Sequence, residues 1–264
     1  MKRYRLVVLG ASFLGIGAAL AEPADTVVIE SSCQLGDDYV GCLCAQDWRT
    51  FHPCTKSGKQ LYSEMEKRGL LYKDGSVYAE PAIFILSKWL YQSNVSVCLS
   101  TTVTKIVKTN GGYELTIFNC DGQATIFAEK ILDTTPTGVM YTPDIDYSKQ
   151  LNSVVTNAPA DSYPIFGHFY HNSANNLHYF AFPVGKSDSW IAARDSLHRL
   201  WLENKDTLNG WRLVFTAFTF AYKMPTTKVQ VNDNHNWIPS CSFPSLLEAF
   251  DEGGCGFDGF IQNH

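Results

Sequence analysis

Six residues near the start of the chain carry its clearest chemical signal. Gly10-Ala11-Ser12-Phe13-Leu14-Gly15 follows an apolar stretch at 4–9 and opens a second, alanine-rich one. A glycine turn between a strand and a helix brings free main-chain N–H groups up to a pyrophosphate. The first glycine permits the tight turn, the middle position lets the backbone approach the ligand, and the last lets the helix pack on the strand. Here Ser12 holds the middle position. Its Cβ takes room, but its hydroxyl can cap the helix or donate to a phosphate oxygen. The helix N-terminus adds a partial positive charge. Glu30 lies twenty residues after Gly10, at the end of a short apolar strand at 26–29, with Ser31 beside it. An acid at that spacing accepts the hydroxyls of a ribose. That favours adenosine with a free 2′-OH, as in FAD or NAD, over NADP.

Two plainer readings compete. The glycines can make a strand–helix turn that holds no ligand. Residues 1–22, with a basic start, an apolar run and Ala-Leu-Ala before Glu22, also have the outline of a secretory leader. Gly10, Ser12, Gly15 and Gly17 interrupt that run, and a strand ending in an acid follows it. A leader predicts neither, so the segment is read as strand, turn, helix and second strand. No apolar run reaches the ~20 residues of a membrane span.

The next elements must position these residues. A helix is expected at 80–92 and strands at 95–100 and 102–109. A Gly111-Gly112 turn leads to a strand at 113–118, and an Asp121-Gly122 turn to a strand at 124–127. A short buried strand at 128–133 then runs into Asp133-Thr134-Thr135-Pro136-Thr137-Gly138.

With these residues in view, the chain resembles the FAD-dependent oxidoreductases of the glutathione-reductase-like superfold. The matches are the turn from Gly10 to Gly15, Glu30, Leu35-Gly36, Val103 within Thr-Thr-Val-Thr-Lys-Ile, Asp121-Gly122, and the run from Asp133 to Gly138. They cover residues 1–138 well and 232–264 weakly. Ser12 departs from the family's middle glycine, Gly36-Asp37 from its Gly-Gly, and Pro136-Thr137 is inserted before the closing glycine. The late Gly-Asp is not evident. The resemblance implies an α/β fold: a Rossmann-like FAD-binding domain, with a parallel sheet and a β-meander, and an inserted α+β substrate domain. It implies that Gly10, Ser12 and Gly15 face the pyrophosphate and that Glu30 binds the adenosine ribose, with Ala11, Phe13, Leu14 and Ser31 also counted among the cofactor-binding residues. By the same resemblance Val103 pairs its backbone with the adenine, and Thr135 and Gly138 lie on the adenosine–diphosphate side. Residues 36–44, with Gly36 and Asp37, would run along the ribityl chain and the isoalloxazine.

From Met140 the character changes. Residues 150–231 are rich in aromatic side chains, with strands expected at 164–170, 178–183 and 211–222 and one amphipathic helix at 187–203. The chain is therefore divided into an FAD-binding part at 1–139, an inserted substrate or cap domain at 140–231, and a return at 232–264 through a helix at 245–252. The resemblance puts the N-terminus of that helix near the flavin pyrimidine.

Candidate catalytic side chains are few. Cys42 and Cys44 follow the loop expected at the flavin, but alternate residues of a strand point apart and Cys-x-Cys makes a poor disulfide. Buried structural thiols are the plainer reading. His168 is the histidine placed to act as acid or base, with His171 and His178 nearby, although a half-buried core position suits it as well. Arg194, Arg199 and Arg212 suit a substrate carboxylate, or a solvated surface. Asp37-Asp38 reads equally as a ligand-bonding pair and as a polar loop.

The whole-chain numbers set limits. In 264 residues the net charge is −5, and 45% apolar residues leave enough for a substantial core. No basic run exceeds two residues, so a nucleic-acid partner is not expected. The eight cysteines show no CxxC and no metal-ligand spacing, so no metal is expected and reduced, cytoplasmic thiols are. The function expected is an FAD-dependent oxidoreductase passing a hydride from a small organic substrate to flavin, in a homo- or hetero-oligomer or alone, with no membrane partner. No second glycine motif marks a built-in NAD(P)H domain. The alternative is a non-catalytic subunit of a larger assembly that keeps the fold while the motif decays.

Overall fold

A computed structural model describes residues 1–141, 144–156, 168–208 and 210–259. The strands are β1 (Lys2–Leu9), β2 (Thr26–Ile29), β3 (Ser96–Cys98), β4 (Thr102–Thr109), β5 (Gly112–Asn119), β6 (Gly122–Asp133), β7 (Ser148–Thr156), β8 (His168–Asn172), β9 (Leu177–Val184), β10 (Arg212–Thr216), β11 (Ala221–Lys223), β12 (Val229–Asn232) and β13 (His235–Trp237). The helices are α1 (Phe13–Ala21), α2 (Lys56–Lys67), α3 (Ala82–Gln92), α4 (Trp190–Glu203), α5 (Leu246–Gly253) and a last turn, α6 (Gly256–Gly259).

β1 alternates two buried faces, and that alternation builds three layers. Leu6 and Val8 point into an apolar core with Phe13, Leu14, Ile16, Leu61, Leu86 and Phe250, which belong to the helices. Val7 and Leu9 point the other way, into a core with Tyr113, Leu115, Ile126 and Ile131 of the meander. Successive side chains of a strand face opposite ways, so a strand apolar at every position must be covered on both sides. The central sheet runs β12-β13-β6-β1-β2-β3. The members from β13 to β3 pair parallel, while β12 pairs antiparallel with β13.

β6 corrects the sequence reading, which expected two strands at 124–127 and 128–133. It is one strand of 12 residues. Its first half pairs antiparallel with β5, from Asn119↔Gly122 to Tyr113↔Ala128, while most of its length pairs with β1. Its end pairs with β13. One continuous strand thus joins the meander β4-β5-β6 to the parallel sheet, and no turn residue interrupts it at Ala128.

The second sheet runs β10-β7-β9-β8, with β11 also on β7. Leu151, Val155, Phe169, Phe180 and Trp211 pack there against Ala193 and Leu197 of α4. The strand expected at 211–222 is two strands on β7: Ala217 still donates its N–H to Asn152 O of β7 (2.8 Å), and a bend at 218–219 then separates β10 from β11. The strand expected at 164–170 lies partly outside the described residues; its described end is the start of β8. The helix α2 had no counterpart in the sequence reading. Thr55 caps it by accepting from Gly58 N at 2.9 Å, and Asp251 of α5 accepts from Cys54 N and Thr55 N at 2.8 and 2.9 Å.

α1 and α5 approach backbone to backbone. A Cβ on Gly253 would lie 2.1 Å from Leu14 O, and one on Gly17 2.3 Å from Phe250 O. Neither neighbour is a flexible side-chain tip, so the helices themselves would have to separate. Gly253→Ala is therefore expected to cost about 1–3 kcal/mol. In urea unfolding it should lower the midpoint at unchanged m-value.

Candidate functional site

The glycine turn folds as its residues require. Gly10 has φ +92°, and a Cβ on Gly15 would meet Gly10 O at 2.5 Å. Ser12 is the N-cap of α1: its Oγ accepts from Gly15 N at 3.0 Å, and its hydroxyl donates to Thr134 Oγ1 at 2.7 Å. Such a cap contributes about 1 kcal/mol. Thr134 donates in turn to Leu9 O at 2.8 Å. The Ser12 hydroxyl thus faces the chain's own Thr134, a residue to which the sequence reading gave no role.

Glu30 is buried at the end of β2. Its Oε2 accepts from Ala11 N at 2.8 Å and its Oε1 from Ser32 N at 2.7 Å and the Ser31 hydroxyl at 3.3 Å. The carboxylate spans the glycine turn and the loop after β2, and it lines the cleft beyond them.

The next two N–H groups of α1 take acceptors from far along the chain. Phe13 N donates to Asp38 Oδ2 at 3.2 Å, and Leu14 N to Ser240 Oγ at 3.2 Å. The Ser240 hydroxyl donates to the same Asp38 oxygen at 2.5 Å. Asp38 sits in a wide, π-helical turn, Asp37–Gly41. Tyr39 anchors that turn, its hydroxyl donating to Ser240 O at 3.0 Å and Phe243 O at 2.8 Å. The other Asp38 oxygen, Oδ1, is sealed from solvent and meets no donor among the described residues. Burial pushes the carboxyl up to about 7, against the hydrogen bonds from Ser240 and Phe13.

Asp133 closes the far side. It accepts from Thr135 N at 3.0 Å and the Thr135 hydroxyl at 2.6 Å, and from Val139 N, which folds residues 134–139 over the sheet end. Burial pushes it up to about 6. Trp237 Nε1 donates to Thr135 O at 2.9 Å.

These groups surround a cleft of about 700 Å³ at the carboxyl ends of β1, β2 and β6. Gly10, Ser12, Glu30, Ser31, Asp37, Asp38, Thr135 and Gly138 line it, together with 218–220 of the second sheet's loop. Its size suits a cofactor-sized ligand. In an open α/β sheet this is the place where ligands bind, where strand order reverses about β1.

Other expected residues lie elsewhere. Ala11 contributes only its N–H, to Glu30, while Phe13, Leu14 and Gly15 are buried in α1 behind the cleft. Gly36, at φ +73°, donates its N–H to Ala11 O and does not line the cleft. Val103 is in β4, paired with Ile117 and packed on the meander core, away from the lining. His168 is exposed in β8 and also outside the lining. Cys42 and Cys44 are not on a strand: Leu43 takes φ +53°, so the pair lies in a turn. There the Cys42 thiol donates to Asp38 O at 3.0 Å and the Cys44 thiol to Ala45 O at 3.4 Å, and burial pushes the Cys42 thiol well above its usual value. Both are away from the main cleft; Cys44 lines a small cavity with Tyr170. Asp38, Thr134 and Ser240 are the polar residues that sequence reasoning passed over or left even. A serine after a strand and a proline carries no signal of its own, and Asp38 was legible only as half of an acidic pair.

No known family's sequence pattern matches the chain, and a search of curated proteins finds no match. Solved structures do match. Glycine oxidase from Geobacillus kaustophilus superposes with TM-score 0.62 at 12% identity over 99% of this chain and 95% of its own. A flavoprotein/dehydrogenase from Cytophaga hutchinsonii gives 0.56 at 12% over 99% and 78%. OxyS anhydrotetracycline hydroxylase from Streptomyces rimosus gives 0.64 at 11% over 95% of this chain, which spans 60% of that protein. The fold is thus the Rossmann-like α/β fold that these proteins share. Its structural neighbours include an oxidase, a dehydrogenase and a hydroxylase.

The burial of Asp38 has a measurable sign. Its folded value lies above the ordinary 3.8, so the folded state holds this proton more tightly than the unfolded chain. That stability is complete below 3.8 and is lost as pH rises through about 7. Each tenfold difference in proton affinity is worth about 1.4 kcal/mol. Asp38→Asn keeps an oxygen for Phe13 N and Ser240 without the charge. Its stability relative to the parent, from denaturant melts at several pH values, should rise between those limits and level off above them.

Proposed function

We propose that the chain is an FAD-dependent oxidoreductase that passes a hydride from a small organic substrate to the flavin. The observation that carries the reading is the cleft at the end of β1, with Glu30 at one wall and the glycine turn beneath it. Glu30 has the position and the oxygens to accept adenosine ribose hydroxyls, Ser31 stands beside it, and Thr135 and Gly138 line the same cleft. The adenosine end of FAD fits these residues. The diphosphate meets a contested place, because the N–H groups of Phe13 and Leu14 are already engaged. A bound flavin supplies the hydride acceptor. The chain's own residues bind its adenosine end, and the loop at 218–220, between β10 and β11 of the second sheet, also lines the cleft. We assign that sheet, within 140–231, to the substrate.

A second reading is favoured by one observation. The cleft is lined by three carboxylates, Glu30, Asp37 and Asp38, and by no Lys, Arg or His among the described residues. A fold kept for assembly, as a non-catalytic subunit, needs no cation there.

The two readings separate on cofactor binding. The purified protein should show flavin absorption, or gain thermal stability with added FAD; a ligand at 100 times its dissociation constant adds about 2.7 kcal/mol. Glu30→Gln retains one acceptor for Ala11 N and loses charge toward the ribose. It should weaken FAD about tenfold, the value of one charge-assisted hydrogen bond. A colourless protein whose melting FAD does not change would overturn the oxidoreductase reading in favour of the non-catalytic one.

A further inference from the structure

The N-terminus of α1 attracts an anion through its free N–H groups and its dipole. In this chain the anion standing there is Asp38. One of its oxygens takes the Phe13 N–H and the Ser240 hydroxyl, and Ser240 in turn takes the Leu14 N–H. Ser12 takes the Gly15 N–H. The remaining oxygen, Asp38 Oδ1, is sealed from solvent and meets no donor among the described residues, in a side chain that lines the cleft. A diphosphate approaching the same amides meets a carboxylate already bonded to them, with Glu30 and Asp37 on the same cleft and no cationic side chain among the lining residues. At close range like charges repel by kilocalories where water is excluded.

We propose that Asp38 is the residue that sets which part of a dinucleotide this cleft accepts: it holds the diphosphate position from within the chain, so that the adenosine part binds readily and the diphosphate part binds weakly. The proposal rests on the dinucleotide reading above. It adds a discriminating residue that the glycine turn and Glu30 do not contain. The main chain gives Asp38 little room to withdraw. Asn152 Nδ2 donates to Cys42 O and Leu43 O at 2.9 and 3.1 Å, and the Tyr170 hydroxyl to Leu43 O at 2.8 Å. Phe218 N donates to Gly41 O at 3.1 Å.

The test is a titration of adenosine, ADP and FAD into the full-length parent and three variants, at a pH well above the value of about 7 to which burial raises Asp38, so that its carboxyl is ionised. In Asp38→Asn the amide oxygen replaces Oδ2 toward Phe13 and Ser240, and the NH₂ group stands at the Oδ1 position as a donor. ADP and FAD should then bind about tenfold tighter or better, while adenosine changes by less than about twofold. Asp38→Ala, which removes the charge without adding a donor, should move ADP in the same direction by less. Asp37→Asn, a neutralised neighbour on the same cleft, should leave the ADP-to-adenosine ratio near that of the parent. Equal ADP affinity in the parent and both Asp38 variants, with adenosine bound by all, overturns the role of Asp38 and leaves the dinucleotide reading in place. Equal tightening in Asp37→Asn and Asp38→Asn also overturns it, since the effect would then be overall charge and not position. If no protein binds adenosine, ADP or FAD, the dinucleotide reading falls and this inference with it.

Discussion

The start of α1 is the constraint around which the rest of the amino-terminal half is organised. A helix begins with N–H groups that have no partner within it, and a buried helix start must find acceptors elsewhere. Ser12 supplies one locally. The others come from Asp38, 25 residues on from Phe13, and Ser240, 226 residues on from Leu14. Glu30 secures the N–H of Ala11 just before the helix. The end of β2, the wide turn after it and the short turn after β13 therefore converge on one point. That point lies where β2 leaves to one side of β1 and β6 to the other, so the device that caps the helix also floors the cleft.

The cap is not cheap. A carboxylate taken out of water is destabilised unless its bonds and local dipoles restore what solvation gave. Two hydrogen bonds to Asp38 Oδ2 and the positive end of α1 restore part of it. The second oxygen meets no donor among the described residues, and the net balance is visible in a carboxyl raised to about 7. Asp133, also buried, receives three donors and is raised less, to about 6. An uncharged amide at position 38 would make the same two bonds. The charge therefore belongs to the electrostatics of the cleft more than to the stability of the helix.

Much of the fold was legible in local pattern. Strands β2 and β4 have the predicted bounds, and α3 and α5 lie within a residue or two of theirs, because turn residues and apolar runs punctuate the chain clearly there. The continuous β6 was not legible. Its division at Ala128 followed from a change of hydrophobic pattern, which in fact marks where the strand trades β5 for β13 as its neighbour. Helix α2 was missed because it is mostly polar, with only Gly58, Leu61 and Met65 buried, and its N-terminus is fixed by Asp251 across the fold. For the site, Gly10, Gly15, Ser12 and Glu30 were readable because their roles depend on short spacings. Asp38 and Ser240 act through contacts 202 residues apart, which no spacing rule contains. Val103 was placed by resemblance alone; it lies in β4, two residues after Thr101, whose N–H donates to Glu30 O.

The residues at 36–44 show how the two sheets depend on one another. Their side chains cap α1 and line the cleft, while their carbonyl groups are held by Asn152, Tyr170 and Phe218 of the second sheet and its loop. Asn152 is fully buried, so its two bonds to this loop are made in a setting where an unmade bond costs about 1–3 kcal/mol. Leu43 accepts a left-handed backbone, unusual for its type, in the same turn that offers its carbonyl to both Asn152 and Tyr170. A ligand that demanded space at Asp38 could not gain it by moving this loop without breaking those bonds on the second sheet. Neutralising the carboxyl, or rotating its side chain alone, disturbs only the contacts to Phe13 and Ser240. The cheaper response to a diphosphate is therefore local to one side chain, which is why the two sheets can stay fixed while the character of the cleft between them turns on a single proton or a single amide.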